Sequence, residues 1–148
     1  MGTANMHDPS QVGDRGAACL VIESLRVGRD RITAAVRVRD AAFVDTNPQV
    51  ARRAIEECPN LPIHSCVNGT GPVFGDVIAH TPLPHLLEHV VVDLQTAASA
   101  DPDRVFTGAT RWTDRASGRA EVQVSYADDV VALSAFRDAV RLVCSWCR

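Results

Sequence analysis

The segment from Thr81 to about Ala98 constrains the fold more than any other part of the chain. Thr81 can cap a helix whose first turn tolerates Pro82 and Pro84, and the pattern continues until just before Asp101-Pro102. At 3.6 residues per turn, Leu86, Leu87, Val90, Val91 and Leu94 make a broad apolar face, while His85, His89 and Val92 occupy an adjacent stripe. A helix with so wide an apolar face needs a second layer to cover it, which makes it the central element of the fold. Within it, His85-Leu86-Leu87-Glu88-His89 reads H-x-x-E-H, the inverted form of the zinc-peptidase helix signature. Two histidines four residues apart project from one side of a helix and can grip one zinc ion, with Glu88 beside them to act on water. The plain alternative is an amphipathic helix that happens to carry two histidines.

Two β-rich units flank this helix. Residues 18 to 27 and 31 to 39 alternate in part and are separated by Gly28-Arg29-Asp30, which predicts a hairpin. Asp45 or Thr46 can cap a helix with Pro48 in its first turn, running to about Cys58 and stopped by Pro59-Asn60. Residues 104 to 112 and 119 to 126, joined by Thr113 to Gly118, read as a second hairpin. From Asp128 to about Cys144, Leu133, Phe136, Ala139, Val140 and Val143 recur at helical spacing. The resulting order, ββα-α-ββα, predicts an α+β two-layer sandwich with an antiparallel or mixed sheet covered by helices on one face. Residues 1 to 16 are expected to form a flexible tail and 17 to 148 a single domain, with no internal repeat.

Composition excludes several functions. The net charge of −3 lacks the basic excess that nucleic acid or an anionic membrane surface would require. All fifteen basic residues are arginines, so Schiff-base chemistry, a pyridoxal-phosphate lysine and a Walker phosphate loop are ruled out. The start of the chain has neither the basic region nor the apolar run of a secretory signal, and Met6 stands where a myristoylation signal needs Ser or Thr. No stretch is apolar enough to span a bilayer. Five cysteines at irregular spacing do not make a disulfide framework and suit a reducing compartment. A cytoplasmic location is expected, with a homo-oligomer left open.

A catalytic zinc site usually takes three protein ligands and keeps one position for water. The candidates for the third are Cys66, His64, His80, Asp76 and Asp93. His80 precedes two prolines and falls outside the helix. Asp93, four residues after His89, is better placed to orient that imidazole than to bind metal. Cys66 is preferred, because it sits in the glycine-rich loop after Cys58 and offers the thiolate that zinc favours. The terminal Cys144-Ser145-Trp146-Cys147 is a single C-x-x-C at a helix end, read as an incidental tail with Trp146 as packing.

Taken together, Pro59-Asn60-Leu61, His64-Ser65-Cys66, the H-x-x-E-H helix through Thr96, and Gly108-Ala109-Thr110-Arg111 resemble the N-terminal domain of cyanophycin synthetases. The recognisable motifs cover residues 59 to 111. In that family the domain precedes an ATP-grasp and a Mur-ligase-like domain, binds the arginine-aspartate polymer, and in some members carries a zinc-dependent site that cuts it. Neither of those domains is legible in these residues, so a stand-alone version is expected. The resemblance implies Cys66, His85 and His89 as zinc ligands and Glu88 as catalytic base. It also singles out Arg111, whose guanidinium could contact a developing oxyanion or a substrate carboxylate; a solvated strand-end arginine is the alternative. The approach to the helix, with Pro82 and Pro84, departs from the glycine-tryptophan-rich segment of the synthetases.

The leading expectation is therefore a zinc-dependent hydrolase of amide or peptide bonds acting on a peptide or polyamide substrate. A non-catalytic polymer- or partner-binding module with a structural or vestigial zinc site is the competing reading. A lyase or isomerase using the same metal and base is a third, because the motif does not fix the bond broken.

Overall fold

The computed structural model describes residues 18–148; the tail expected over 1 to 16 lies outside them. Strand β1 (Leu20–Val27) turns into β2 (Arg31–Val38), helix α1 (Pro48–Glu57) follows, then the long helix α2 (Leu83–Ala98), strands β3 (Gly108–Asp114) and β4 (Arg119–Ser125), and helix α3 (Asp129–Trp146). The strands form one antiparallel sheet in the order β1-β2-β4-β3, so each hairpin contributes one central and one edge strand. The fold is α+β, and every strand pairing is antiparallel.

Alternation along the central strands explains the layering. Ile32, Ala34, Val36 and Val38 of β2 and Ala120, Val122 and Val124 of β4 are buried, while their neighbours are at most half-buried. One face of the sheet therefore carries the core, and α2 and α3 pack on it through Leu86, Leu87, Val90, Val91, Phe136, Ala139 and Val143. Gln95, fully buried on α2, donates from Nε2 to Ser125 O at 3.0 Å and ties the helix to the end of β4. Gly118 closes the second hairpin at φ 74°, and a Cβ there would come within 2.3 Å of Val38 O. No helix among the described residues is long and apolar enough to cross a membrane.

Several boundaries move from their expected places, each for a local reason. Asn47, not Asp45 or Thr46, caps α1, accepting from Val50 N at 2.9 Å. Thr46 is instead buried between Ile78 O and Thr81 N. Thr81 does not cap α2. The backbone turns at Pro82, Leu83 N–H donates to Val44 O at 2.9 Å, and the Thr81 hydroxyl is left for His85. The second hairpin begins at Gly108 rather than at residue 104, because Arg104 to Thr107 lie outside the regular β ladder. Cys144 and Cys147 are not an incidental tail. Both are buried, and Cys144 Sγ lies 3.7 Å from Cys19 Sγ in the core. Trp146 packs as expected, its Nε1 donating to Glu57 Oε1 at 3.0 Å.

Candidate metal centre

The N-terminal half of α2 and the loop before it bring Cys66, His85 and His89 together, with one ligand atom from each lying within 4.8 Å of the others. His85 Nε2 is 3.2 Å from His89 Nε2 and 3.5 Å from Cys66 Sγ. The helix supplies the two imidazoles by its i, i+4 spacing. Cys66 is fixed by backbone pairing: Cys66 N–H donates to Pro72 O, Phe74 N–H donates to His64 O, and Asn68 Oδ1 accepts from Thr70 N and Gly71 N. The glycine-rich loop is thus folded back on itself and presents its thiol to the helix. Phe74 supports both rings, stacked on His89 at 4.0 Å between centroids and edge-on to His85 at 5.0 Å.

One self-consistent hydrogen-bond assignment turns a bare nitrogen of each ring toward the centre. Asp93 Oδ1 lies 3.1 Å from His64 Nε2, and a carboxylate only accepts, so His64 carries its proton there. When His64 carries no second proton, its Nδ1 is an acceptor 3.2 Å from His89 Nδ1, which then donates. That leaves the lone pair of His89 Nε2 directed at the cluster. His85 Nδ1 sits 2.8 Å from Thr81 Oγ1; donating there, it turns the lone pair of its own Nε2 to the same place. Cys66 can give its S–H to His85 Nε2, and once that proton is lost a thiolate and two imidazole nitrogens converge on one point, a donor set that suits a metal ion.

The electrostatics agree. Burial, with the neighbouring His85 and His64 adding to it, pushes the His89 pKa down to about 3, and burial lowers that of His85. Both rings are therefore held neutral, as ligands must be. Burial also raises the Glu88 carboxyl to about 7, with the Thr110 hydrogen bond and His64 opposing. Glu88 is only 5% exposed. Its Oε1 accepts from Thr110 Oγ1 at 2.9 Å, while Oε2 lies 3.5 Å from His89 Nε2. Gly108 makes this possible, since a Cβ there would stand 2.7 Å from Glu88 Cγ. The Gly108-Ala109-Thr110 stretch of β3 is thus the seat of Glu88.

The remaining expected residues sit elsewhere. Asp93 reaches His89 through His64 rather than directly. His80 is exposed, and Asp76 closes its own turn by accepting from Val73 N at 3.1 Å. Arg111 sits directly opposite Glu121 in the β3–β4 ladder, and its guanidinium pairs with that carboxylate at 3.3 Å. Strand alternation puts it on the face opposite Thr110, at the rim of the cavity. Sequence reasoning missed Phe74, Thr81 as a histidine partner, and the holding of Glu88 by Thr110 and Gly108. A threonine four residues before the first histidine was the available signal for Thr81. The centre opens into a cavity of about 1050 Å³ between the Ile63–Val67 loop, α2 and β3.

Fold and site together define a class: an α+β domain whose central helix and a preceding loop bring together two histidines and a cysteine that could hold a metal ion, beside a buried carboxylate. The chain belongs to the cyanophycin synthase-like N-terminal domain family, whose profile matches residues 40–148. A comparison with curated proteins gives no match.

Proposed function

We propose that the chain is a zinc-dependent hydrolase of amide bonds, with Cys66, His85 and His89 holding the metal and Glu88 as general base. The observation that carries this reading is the position of Glu88: buried, anchored through Oε1, and free at Oε2 beside the ligand atoms. A structural metal site has no need of such a group. Support for zinc comes from spacing. A tetrahedral ion bound at the usual lengths separates two nitrogens by about 3.3 Å and a nitrogen from a sulfur by about 3.6 Å. Two of the three separations here are 3.2 Å and 3.5 Å, and the third, between Cys66 and His89, is within 4.8 Å.

Zinc in this position would act as a Lewis acid on a substrate carbonyl and on water. The chain's own residues do the rest. Glu88 Oε2 takes the proton of the attacking water as the new C–O bond forms, then delivers it to the amide nitrogen as the C–N bond breaks. Without a metal, burial raises this carboxyl to about 7, and a cation held beside Oε2 would favour the carboxylate that a general base needs. Thr110 holds Oε1, so the proton is handled at Oε2. Thr81, and Asp93 acting through His64, keep the two imidazoles turned toward the metal position. Arg111, at the cavity rim, contacts the body of the substrate rather than the reacting carbonyl. The arginine-aspartate polymer is the first substrate to try, given the family.

Glu88→Gln keeps size and the bond from Thr110 but removes the base. The variant should bind zinc as the parent does and lose hydrolysis on the order of 10²- to 10⁴-fold. If a zinc-loaded parent cuts no amide substrate yet binds the polymer, and Glu88→Gln binds it equally well, the domain is a binding module and the hydrolase reading is wrong.

A further inference from the structure

Strand β3 is an edge of the sheet, and its free edge is turned toward the cavity. Nine consecutive residues, Arg104 to Trp112, line that cavity. The last five, Gly108 to Trp112, belong to β3, and a strand lying face-on would contribute only alternate residues, so the cavity meets β3 along its backbone. Hydrogen bonding shows which groups are free. Ser125 N–H donates to Thr107 O at 2.8 Å, and Thr107 N–H donates to Ser125 Oγ at 2.8 Å, so both backbone groups of Thr107 face β4. In an antiparallel pair this orientation repeats every second residue. Ala109 and Arg111 therefore bond to β4, and the N–H and C=O of Gly108 and Thr110 point outward.

Gly108 and Thr110 are also the two residues that seat Glu88. A chain hydrogen-bonded to them must run past the carboxylate and the ligand atoms. The two edges of the sheet differ in this respect. Strand β1 is interrupted by a register shift between Ile22 and Ser24, which spoils it as a template, whereas β3 stays regular from Gly108 to Trp112 and shifts only between Trp112 and Asp114. No proline or inward-pointing charge blocks the regular stretch. Across the cavity, Ile63 and Val67 are 72% and 106% exposed, apolar surface fit to cover the side chains of a bound strand.

We infer that the substrate binds as an extended polyamide main chain added to the free edge of β3, paired to the backbone of Gly108 and Thr110. Recognition then lies mainly in the backbone, and the ligand class is a peptide-like chain of several residues rather than a compact small molecule. The inference rests on the hydrolase reading for the fate of the bound chain but not for the binding itself.

The test uses the full chain stripped of metal, so that a probe stays intact, with two probes: an octamer of aspartate carrying arginine on each β-carboxyl, and an unbranched octapeptide of alanine and serine. Backbone amide exchange is followed by NMR. On binding, the Gly108 and Thr110 amides should slow by about tenfold or more, while Ala109 and Arg111, already bonded to β4, stay as they are. N-methylation of alternate probe amides should weaken binding by about tenfold in one register and by little in the other. Failure of both probes to bind, or equal tolerance of methylation in both registers, overturns strand addition. So does protection of Gly108 and Thr110 that rises with protein concentration without probe, which assigns the edge to a second copy of the chain. Hydrolysis by the zinc-loaded protein is scored separately. Cleavage without the alternation removes the strand and keeps the hydrolase, and alternation without cleavage does the reverse.

Discussion

Leu86, Leu87, Val90 and Val91 on one side of α2, and Glu88 and His89 on the other, are removed from water almost equally, with none more than 5% exposed. On the apolar side, burial stabilises the fold, because each side chain leaves water for a packed sheet. On the polar side, the same dryness works against the charged forms. It keeps His89 neutral down to about pH 3 and holds the proton on Glu88 up to about 7. One helix thus joins a face that stabilises to a face whose titratable groups are held uncharged at some cost in stability. The difference teaches that the Cys66-His85-His89 cluster rests on the core and adds little to it, and substitutions should separate the two faces.

The largest effect is expected on the apolar side. Leu87→Ala empties fully buried volume and should destabilise by about 2–5 kcal/mol in urea unfolding. If metal affinity of the remaining folded protein also falls by orders of magnitude, the two faces are not separable and the comparison fails.

Glu88→Gln should have the opposite sign. The folded-state pKa of Glu88 is raised from 4.5 to about 7, so the native state binds the extra proton, and stability falls as pH rises through that window. Above pH 7 the full cost stands. Glutamine carries no such cost. The metal-free variant should therefore be more stable than the metal-free parent by up to about 3 kcal/mol above pH 7, with the gain vanishing below pH 4.5. The His89 shift runs the other way, stability being lost as pH falls from 6.5 toward about 3, and it is present in both proteins. A gain independent of pH would show that Glu88 is not a buried carboxylate in solution.

These contrasts also mark what was legible in the sequence. Helical spacing located both faces of α2, and strand alternation gave both hairpins, because each is a local periodicity. The meeting of Cys66 with His85 and His89 was reachable from ligand chemistry. The link from Asp93 through His64 to His89 was not, because it depends on where a loop 25 residues away in sequence is laid against the helix. Thr81 illustrates a different failure. Its place before two prolines suits a cap, yet a buried imidazole four residues on is the partner it takes. Parity hid the role of Gly108-Ala109-Thr110-Arg111: Gly108 and Thr110 face the helix and seat Glu88, while Arg111, one residue on, faces away.

His64 offers an intermediate effect. His64→Ala removes the acceptor for His89 Nδ1 and frees that ring to turn, so zinc affinity should drop about 10- to 100-fold with folding retained. His64→Gln, which restores an acceptor, should recover part of it. Unchanged affinity in competition titrations would mean that Phe74 stacking alone fixes His89.

The smallest effect is expected at Arg111, and it tests whether the two sides of β3 are as distinct as those of α2. The Arg111 side chain is 66% exposed, and its pair with Glu121 lies across the solvent side of the ladder, so Arg111→Ala should change stability by less than about 1 kcal/mol. Its kinetic signature is more telling. A donor to the developing oxyanion would cost about 10²- to 10³-fold in kcat when removed. A rim residue that touches only the body of the substrate would raise KM and leave kcat unchanged, because uniform binding contributes equally to ground and transition states. Alternation sets Arg111 against Glu121 and away from Thr110, so the expected outcome is a raised KM at constant kcat. A fall in kcat at constant KM would mean that the guanidinium leaves Glu121 and swings into the cavity during reaction. In that case the two sides of the edge strand act as one site.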